Sequence, residues 1–541
     1  MTTKLPKPDY GNLLEYFPFD EFRGDQKTIL EQMRDWLLDP TVDVIICQAA
    51  TGIGKSALAL ALAKAAKSAY IATANKALQD QYVRDFDKLL VNLKGRSNYQ
   101  CTRFSAPPGR LPYTCADSPC RESKDSRSAC ARESACQYHS QRVKASKADV
   151  TSFNFASALP FLNYLSEMFP PRNLLVCDEA HSVWQWLTGF VGIDLSAKAL
   201  RELDIMENVP NYVETDMYVG LIDRVQKAVA FQLDLDTDGD PQAGKRVEQL
   251  ETLKNKLDLF DVVTNNKKDM NNFVVDKKYD PKNPHQIHTV SFKPVDVSNL
   301  LHDYFFRHAE KAVLLSAVIL DFDTYVKVMG IDPNRVKVMT LDSPFPVENR
   351  PIYTYEAVGK LSKKNLSVYM PDLCYKVVKL MNIYREVKGI IHGVSWDLCR
   401  RVYEGVTDEA RGRLLLAAQP SEQKALLKEH EESEDPTVLL SPSMSEGVDL
   451  KDDLSRLQII LKVPYPYLGD PVVQQRMELY DNYYAMLTAQ ALVQMYGRSI
   501  RSEEDWADTY VLDGNFVNFI NFNGWLLPKS FHKALIRKDY S

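Results

Sequence analysis

Apolar runs alternate with helix-patterned stretches along the first 95 residues. Val42-Asp43-Val44-Ile45-Ile46-Cys47 reads as a buried strand, and Ala57-Leu58-Ala59-Leu60-Ala61-Leu62-Ala63-Lys64 as a strong helix. Ser68-Ala69-Tyr70-Ile71-Ala72-Thr73 predicts the next strand, and Leu78 to Leu90 the next helix. Such alternation belongs to a parallel sheet covered by helices on both faces. It stops near Val91 to Arg96, where a polar stretch rich in Ser, Arg and Pro runs to Lys147. It returns at Asp149 to Phe153 and at Asn173-Leu174-Leu175-Val176-Cys177. Residues from about 183 to 290 are charged and helix-prone, which predicts a mostly helical insertion. Strands resume at Ala312-Val313-Leu314-Leu315-Ser316. A second α/β series follows, with strands at Gly389 to His392, Thr437 to Leu440, Leu457 to Leu461 and Thr509 to Leu512.

A chain of 541 residues exceeds one core and implies about three or four domains. Its 45% hydrophobic and 26% charged residues are ordinary for a globular protein. MTTKLPKPDY has no apolar signal region and no apolar run reaches membrane-spanning length, so a cytoplasmic protein without membrane contact is expected. A net charge of −6 argues against a uniformly basic coat but leaves room for a local basic channel.

Between the first strand and helix lies Ala49-Ala50-Thr51-Gly52-Ile53-Gly54-Lys55-Ser56. Strand, glycine-rich turn, Lys-Ser and helix make a cradle for phosphates. The loop through Thr51, Gly52 and Gly54 would close on phosphate oxygens. Lys55 would reach the β- and γ-phosphates, and the Ser56 hydroxyl would ligate Mg²⁺. ATP and Mg²⁺ are therefore the expected ligands. Asp178-Glu179-Ala180-His181 follows a strand directly, where open parallel sheets bind ligands. Asp178 can hold Mg²⁺ and Glu179 can polarise the attacking water. Gln494-Met495-Tyr496-Gly497-Arg498-Ser499-Ile500-Arg501 adds two guanidiniums, which would share a face on a helix and could stabilise a transferring phosphoryl group. Asp234-Leu235-Asp236-Thr237-Asp238-Gly239 imitates the start of a calcium loop, but Lys245 stands where a bidentate Glu is required.

Nine cysteines are unevenly placed: Cys101, Cys115, Cys120, Cys130 and Cys136 cluster in the polar stretch. Cys47 and Cys177 have apolar neighbours and read as core. In a reducing compartment such a cluster points to a metal, and a segment this polar needs one to fold. Four thiolates suit either an iron–sulfur cluster or zinc, although the tight C-x₂-C pair usual in zinc ribbons is absent.

These pieces together resemble a DEAH-box superfamily 2 helicase of the XPD/DinG type, in the family's order and over nearly the whole length. Tyr16 to Gln26 is similar to the nucleotide-sensing segment, with Arg23 and Gln26 as polar contacts. Thr73, Leu78 and Gln81 fit motif Ia, and Ser316-Ala317 fits motif III, where Val318 replaces the usual Thr. Ser343 to Arg350 is typical of this branch, and Gly389 to Ser395 fits motif IV. Ser441 to Asp449 fits motif V, with Gly447 and Asp449 on the nucleotide side.

The resemblance implies an α/β fold of two RecA-like parallel-sheet motor domains. A cysteine-rich Fe–S insertion and a mostly helical arch insertion would interrupt the first. The expected organisation is motor domain 1 over 1–96, 149–182 and 296–340, an Fe–S domain over 97–148, an arch over 183–295 and motor domain 2 over 341–541. A [4Fe–4S] cluster would be held by Cys101, Cys120 and Cys136, with Cys115 favoured over Cys130 as the fourth ligand. Catalysis would fall to Asp178, Glu179, Gln494, Arg498 and Arg501. The implied activity is ATP-dependent, 5′→3′ DNA unwinding by a monomer on single-stranded and forked DNA. The alternatives are a DNA-stimulated translocase or clamp without strand separation, which Val318 keeps open, and an ATP-switched binding module.

Overall fold

A computed structural model describes residues 5–106, 108–109, 111–121, 136–235, 243–417, 419, 422–442, 444, 450, 452–500 and 502–536. In chain order the first half holds α1 (Gln26–Leu38), β1 (Val44–Ala49), α2 (Lys55–Ala65), β2 (Ala69–Thr73), α3 (Lys76–Phe86) and β3 (Val91–Asn92). Next come α4 (Gln137–Lys147), β4 (Val150–Asn154), β5 (Arg172–Asp178), α5 (Val183–Val191), β6 (Ile193–Ser196), α6 (Val219–Asp234) and α7 (Ala243–Val263). β7 (Phe273–Asp280), β8 (Asn283–Pro294), β9 (Ala309–Ser316) and β10 (Val336–Leu341) follow, with shorter helices between them.

Seven of these strands form one parallel sheet, ordered β10-β1-β9-β5-β2-β4-β3. Every residue of β1 is buried because helices cover both faces. Ile45 and Cys47 enter one core, and Val44 and Ile46 the other. α2 is apolar all round, as a helix wedged between sheet and neighbours should be.

The second half adds β11 (Ile352–Tyr353), β12 (Gly389–His392), β13 (Leu414–Leu416), β14 (Val438–Ser441), β15 (Leu457–Ile460), α8 (Pro471–Leu479), α9 (Tyr483–Tyr496), β16 (Asp508–Val511) and β17 (Leu535–Ile536). Its parallel sheet runs β13-β14-β12-β15-β16-β11-β17. Leu457 and Ile459 pack on one face and Ile460 on the other. The two RecA-like sheets expected from the sequence are therefore present.

Two insertions interrupt the first sheet. One, between β3 and β4, carries the clustered cysteines. The other, between β5 and β9, contains α6 and α7 but also an antiparallel sheet ordered β6-β8-β7, which departs from the mostly helical expectation. Its buried face is built from Phe273, Ile287, Val290 and Phe292. Asp276, Lys277 and Lys278 stand opposite Ser291, Val290 and Thr289 of β8, and this run of charge hid the strand pattern. Arg96 lies 3.7 Å from Glu248 of α7, joining the two insertions. No helix among the described residues is long and apolar enough to cross a membrane.

Candidate nucleotide site between the two sheets

The loop after β1 turns through two left-handed glycines, Gly52 (φ +92°) and Gly54 (φ +85°). Only glycine adopts this backbone without strain. A Cβ at Gly54 would stand 2.3 Å from Gln26 Nε2, and one at Gly52 would stand 2.0 Å from the Phe345 ring. Gln26 is buried, donates to Ile53 O (2.7 Å) and accepts from Arg23 N (2.9 Å). It therefore braces the loop, while the Arg23 side chain is exposed. Lys55 opens α2 and donates to Ala49 O at 3.1 Å. Thr51 faces the second half: a Cβ at Gly497 would lie 3.2 Å from Thr51 Oγ1.

β5 delivers Asp178 and Glu179 to the same edge of the sheet. Asp178 is buried, accepts from Tyr82 Oη (2.9 Å) through one oxygen and from Glu179 N (3.0 Å) through the other. Burial, with the adjacent Glu179 charge, raises the Asp178 pKa against the pull of Lys55. Burial would raise Glu179 too, but a hydrogen bond from His181 and the charges of Lys55 and Arg498 bring it below the usual carboxylate range. Glu179 is also held at φ +58°, a strained backbone for a non-glycine residue. Glu179 is thus held ionised beside Asp178, a carboxyl whose charge a bound cation would favour. The Ser56 side chain lies near the Tyr82 hydroxyl, which donates to Asp178. These oxygen donors fit Mg²⁺.

His181 ties the halves together. Its Nδ1 lies 2.9 Å from Ser316 Oγ and 3.4 Å from Glu179 Oε2. Its Nε2 lies 2.8 Å from Gln494 Nε2 on α9. The Nδ1–H tautomer satisfies all three neighbours, with Gln494 donating to Nε2. Ser316 Oγ also accepts from Val318 N (3.2 Å), so the hydroxyl kept in this segment is already engaged.

Arg498 and Gln494 line a cavity of about 360 Å³ together with Thr51, Glu179, Val318 and Arg350. α9 ends at Tyr496, with Gly497 as its cap, so Arg498 sits on a loop and not on the helical face expected from the sequence. Arg501, Gly447, Asp449 and Cys130 lie outside the described residues. Sequence reasoning missed Tyr82, whose partner is remote in the chain. It also missed the Phe345 contact with the loop.

In the cysteine-rich insertion an isolated antiparallel bridge between Gln100 and Thr114 sets Cys101 and Cys115 on adjoining segments. Cys115 Sγ lies 4.0 Å from Cys136 Sγ. Burial first, then the neighbouring Cys136 and Cys120, push the Cys115 thiol well above its ordinary pKa. Cys120 Sγ lies 2.8 Å from Ser118 Oγ. Thiol donors in this number suit an iron–sulfur cluster chemically. Among the described residues, no three metal-ligating side chains converge on one point.

A helicase C-terminal domain model matches residues 378–534. The solved structure titled "XPD_Helicase" superposes with a TM-score of 0.63 at 14% identity, covering 93% of this chain and 98% of that one. A protein of Escherichia coli named ATP-dependent DNA helicase YoaA is 22% identical over 582 residues, 87% of this chain and 88% of its own length. The chain is similar to these helicases over most of its length. The ATP-dependent DNA helicase DinG of Photobacterium profundum is 25% identical over 251 residues. That match takes in 42% of this chain and 35% of the DinG protein, about a third of its length. The cleft between the sheets falls where the fold brings loop, carboxylate and arginine together.

Proposed function

We propose that the protein is an ATP-dependent DNA helicase that moves 5′→3′ on single-stranded DNA and opens duplex ahead of it. The observation that carries this reading is the Glu179–His181–Gln494 chain, which joins the first sheet's acidic pair to the second sheet's arginine loop across one cavity. Such a cleft can close on a nucleoside triphosphate and open after hydrolysis. Lys55 would hold the β- and γ-phosphates, while Ser56 and Asp178 would hold Mg²⁺, which screens the phosphate charge. Glu179 would draw the proton from the attacking water, and Arg498, with Arg501, would meet the charge that develops on the γ-phosphoryl group. Thr51, Gly52 and Gly54 would shape the cradle, Gln26 would brace it, and Arg23, Gly447 and Asp449 would add nucleotide contacts.

Cys101, Cys115, Cys120 and Cys136 would hold a [4Fe–4S] cluster that staples the polar insertion. The second insertion would serve as the arch beside it, leaving a passage for one strand. The protein would work in the cytoplasm as a monomer.

The test is ATP turnover with and without single-stranded DNA. Single strands are expected to raise turnover in the intact protein. Glu179→Gln abolishes turnover while retaining ATP, and Lys55→Ala loses productive binding. Turnover that ignores single strands, or that survives Glu179→Gln, would sink the reading.

A further inference from the structure

Tyr82 has no place in the hydrolysis chemistry above, yet it touches the metal end of the site. Its side chain is fully buried on α3, in a tilted ring contact with Phe86 at 6.0 Å. Its hydroxyl donates to Asp178 Oδ2 at 2.9 Å and lies near the Ser56 side chain. Asp178 and Ser56 are the two groups assigned above to Mg²⁺.

The helix that carries Tyr82 is itself fixed. Asn75 caps it by accepting from Leu78 N, and buried Gln79 donates to Leu93 O (3.0 Å) and accepts from Asn154 (3.0 Å). The tyrosine oxygen therefore arrives from a rigid wall. Asp178 has little freedom left: one oxygen takes the Tyr82 proton and the other the Glu179 N–H.

We infer that Tyr82 is a positioning residue for divalent-cation binding, its hydroxyl orienting the Asp178 carboxylate toward the ion. This rests on the reading of Asp178 and Ser56 as metal ligands. A hydrogen bond behind a metal-ligating group fixes its direction before the ion arrives, and losing one typically costs 10–100-fold in metal affinity.

The test uses the full-length protein with a non-hydrolysable ATP analogue, and Mn²⁺ as a paramagnetic probe whose free concentration is read by EPR. Tyr82→Phe removes one oxygen and keeps the ring. Tyr70→Phe is the control, since Tyr70 is equally buried and donates to Pro170 O at 2.8 Å, away from the site. Tyr82→Phe is expected to weaken Mn²⁺ about 10–100-fold, while Tyr70→Phe leaves it within twofold.

p-Aminophenylalanine at position 82 restores a donor on the same ring and should recover most of the affinity. In an Asp178→Asn background Tyr82→Phe should add less than twofold. The inference is overturned if Tyr82→Phe matches Tyr70→Phe, if the amino analogue does not rescue, or if the loss persists in full beside Asp178→Asn. Failure of the wild-type protein to bind Mn²⁺ and analogue at all would instead overturn the nucleotide reading itself.

Discussion

Gln494→Leu removes one hydrogen bond between the two halves, Gln494 to His181, and touches no group of the phosphate loop. In the intact protein Gln494 Nε2 stands 2.8 Å from His181 Nε2, and His181 is 4% exposed. Leucine fills similar space but offers no donor, so a buried imidazole nitrogen loses its partner. A lost buried partner costs about 1–3 kcal/mol. If the closed cleft is the hydrolytic one, that cost falls on closure, and each 1.36 kcal/mol is about a tenfold change in rate. Maximal turnover should therefore fall about 5–150-fold.

The KM for ATP should change little, because Lys55, Gly52, Gly54 and Gln26 all belong to the first half of the chain. Glu179 should lose part of its anion-stabilising environment as His181 becomes free to turn. Steady-state hydrolysis at saturating single-stranded DNA, with equilibrium binding of a fluorescent ATP analogue in parallel, separates the two effects. Unchanged turnover, or an equal loss of analogue binding, would refute the argument that this contact governs closure.

Gly54→Ala should weaken nucleotide binding by tenfold or more, since left-handed alanine costs about 1–2 kcal/mol and its Cβ displaces Gln26, which stands 2.3 Å away. Calorimetric titration with ADP checks this, and intact affinity would contradict it. His392 is held neutral, first by burial and then by the Arg498 charge, with its pKa lowered to about 3. Because the folded state resists the proton, its contribution to stability is complete above about 6.5 and drains away as pH falls toward 3. Imidazole ¹⁵N shifts should show no His392 protonation between pH 7 and 5, and a midpoint above 5 would refute it. Protein purified without oxygen should be brown, with the broad visible absorbance of a thiolate-held iron–sulfur cluster. Colourless protein carrying stoichiometric zinc would replace the cluster with a different metal.

The strands at β1, β2, β5, β9, β12 and β14 to β16 could be read from the sequence because parallel strands buried on both faces are continuous apolar runs. β10 could not, since it lies at a sheet edge and exposes Lys337, Val338 and Thr340. The two-residue β11 and β17 are too short to carry a pattern at all. The arginine segment looked helical, but Gly497 ends α9 one residue before Arg498. The phosphate loop and the acidic pair are local signals and were legible in full. The contacts that organise them are not local: His181 meets Gln494, and Tyr82 meets Asp178, only after the chain has folded. No window of sequence spans such a pair.

Strand displacement on a fluorescently labelled duplex tests the central claim most directly. With a 5′ single-stranded overhang, the intact protein is expected to release the labelled strand in the presence of ATP and Mg²⁺. A 3′ overhang or Glu179→Gln should give none. ATP consumed on both substrates with no strand released would show a translocase or clamp, and would contradict the account.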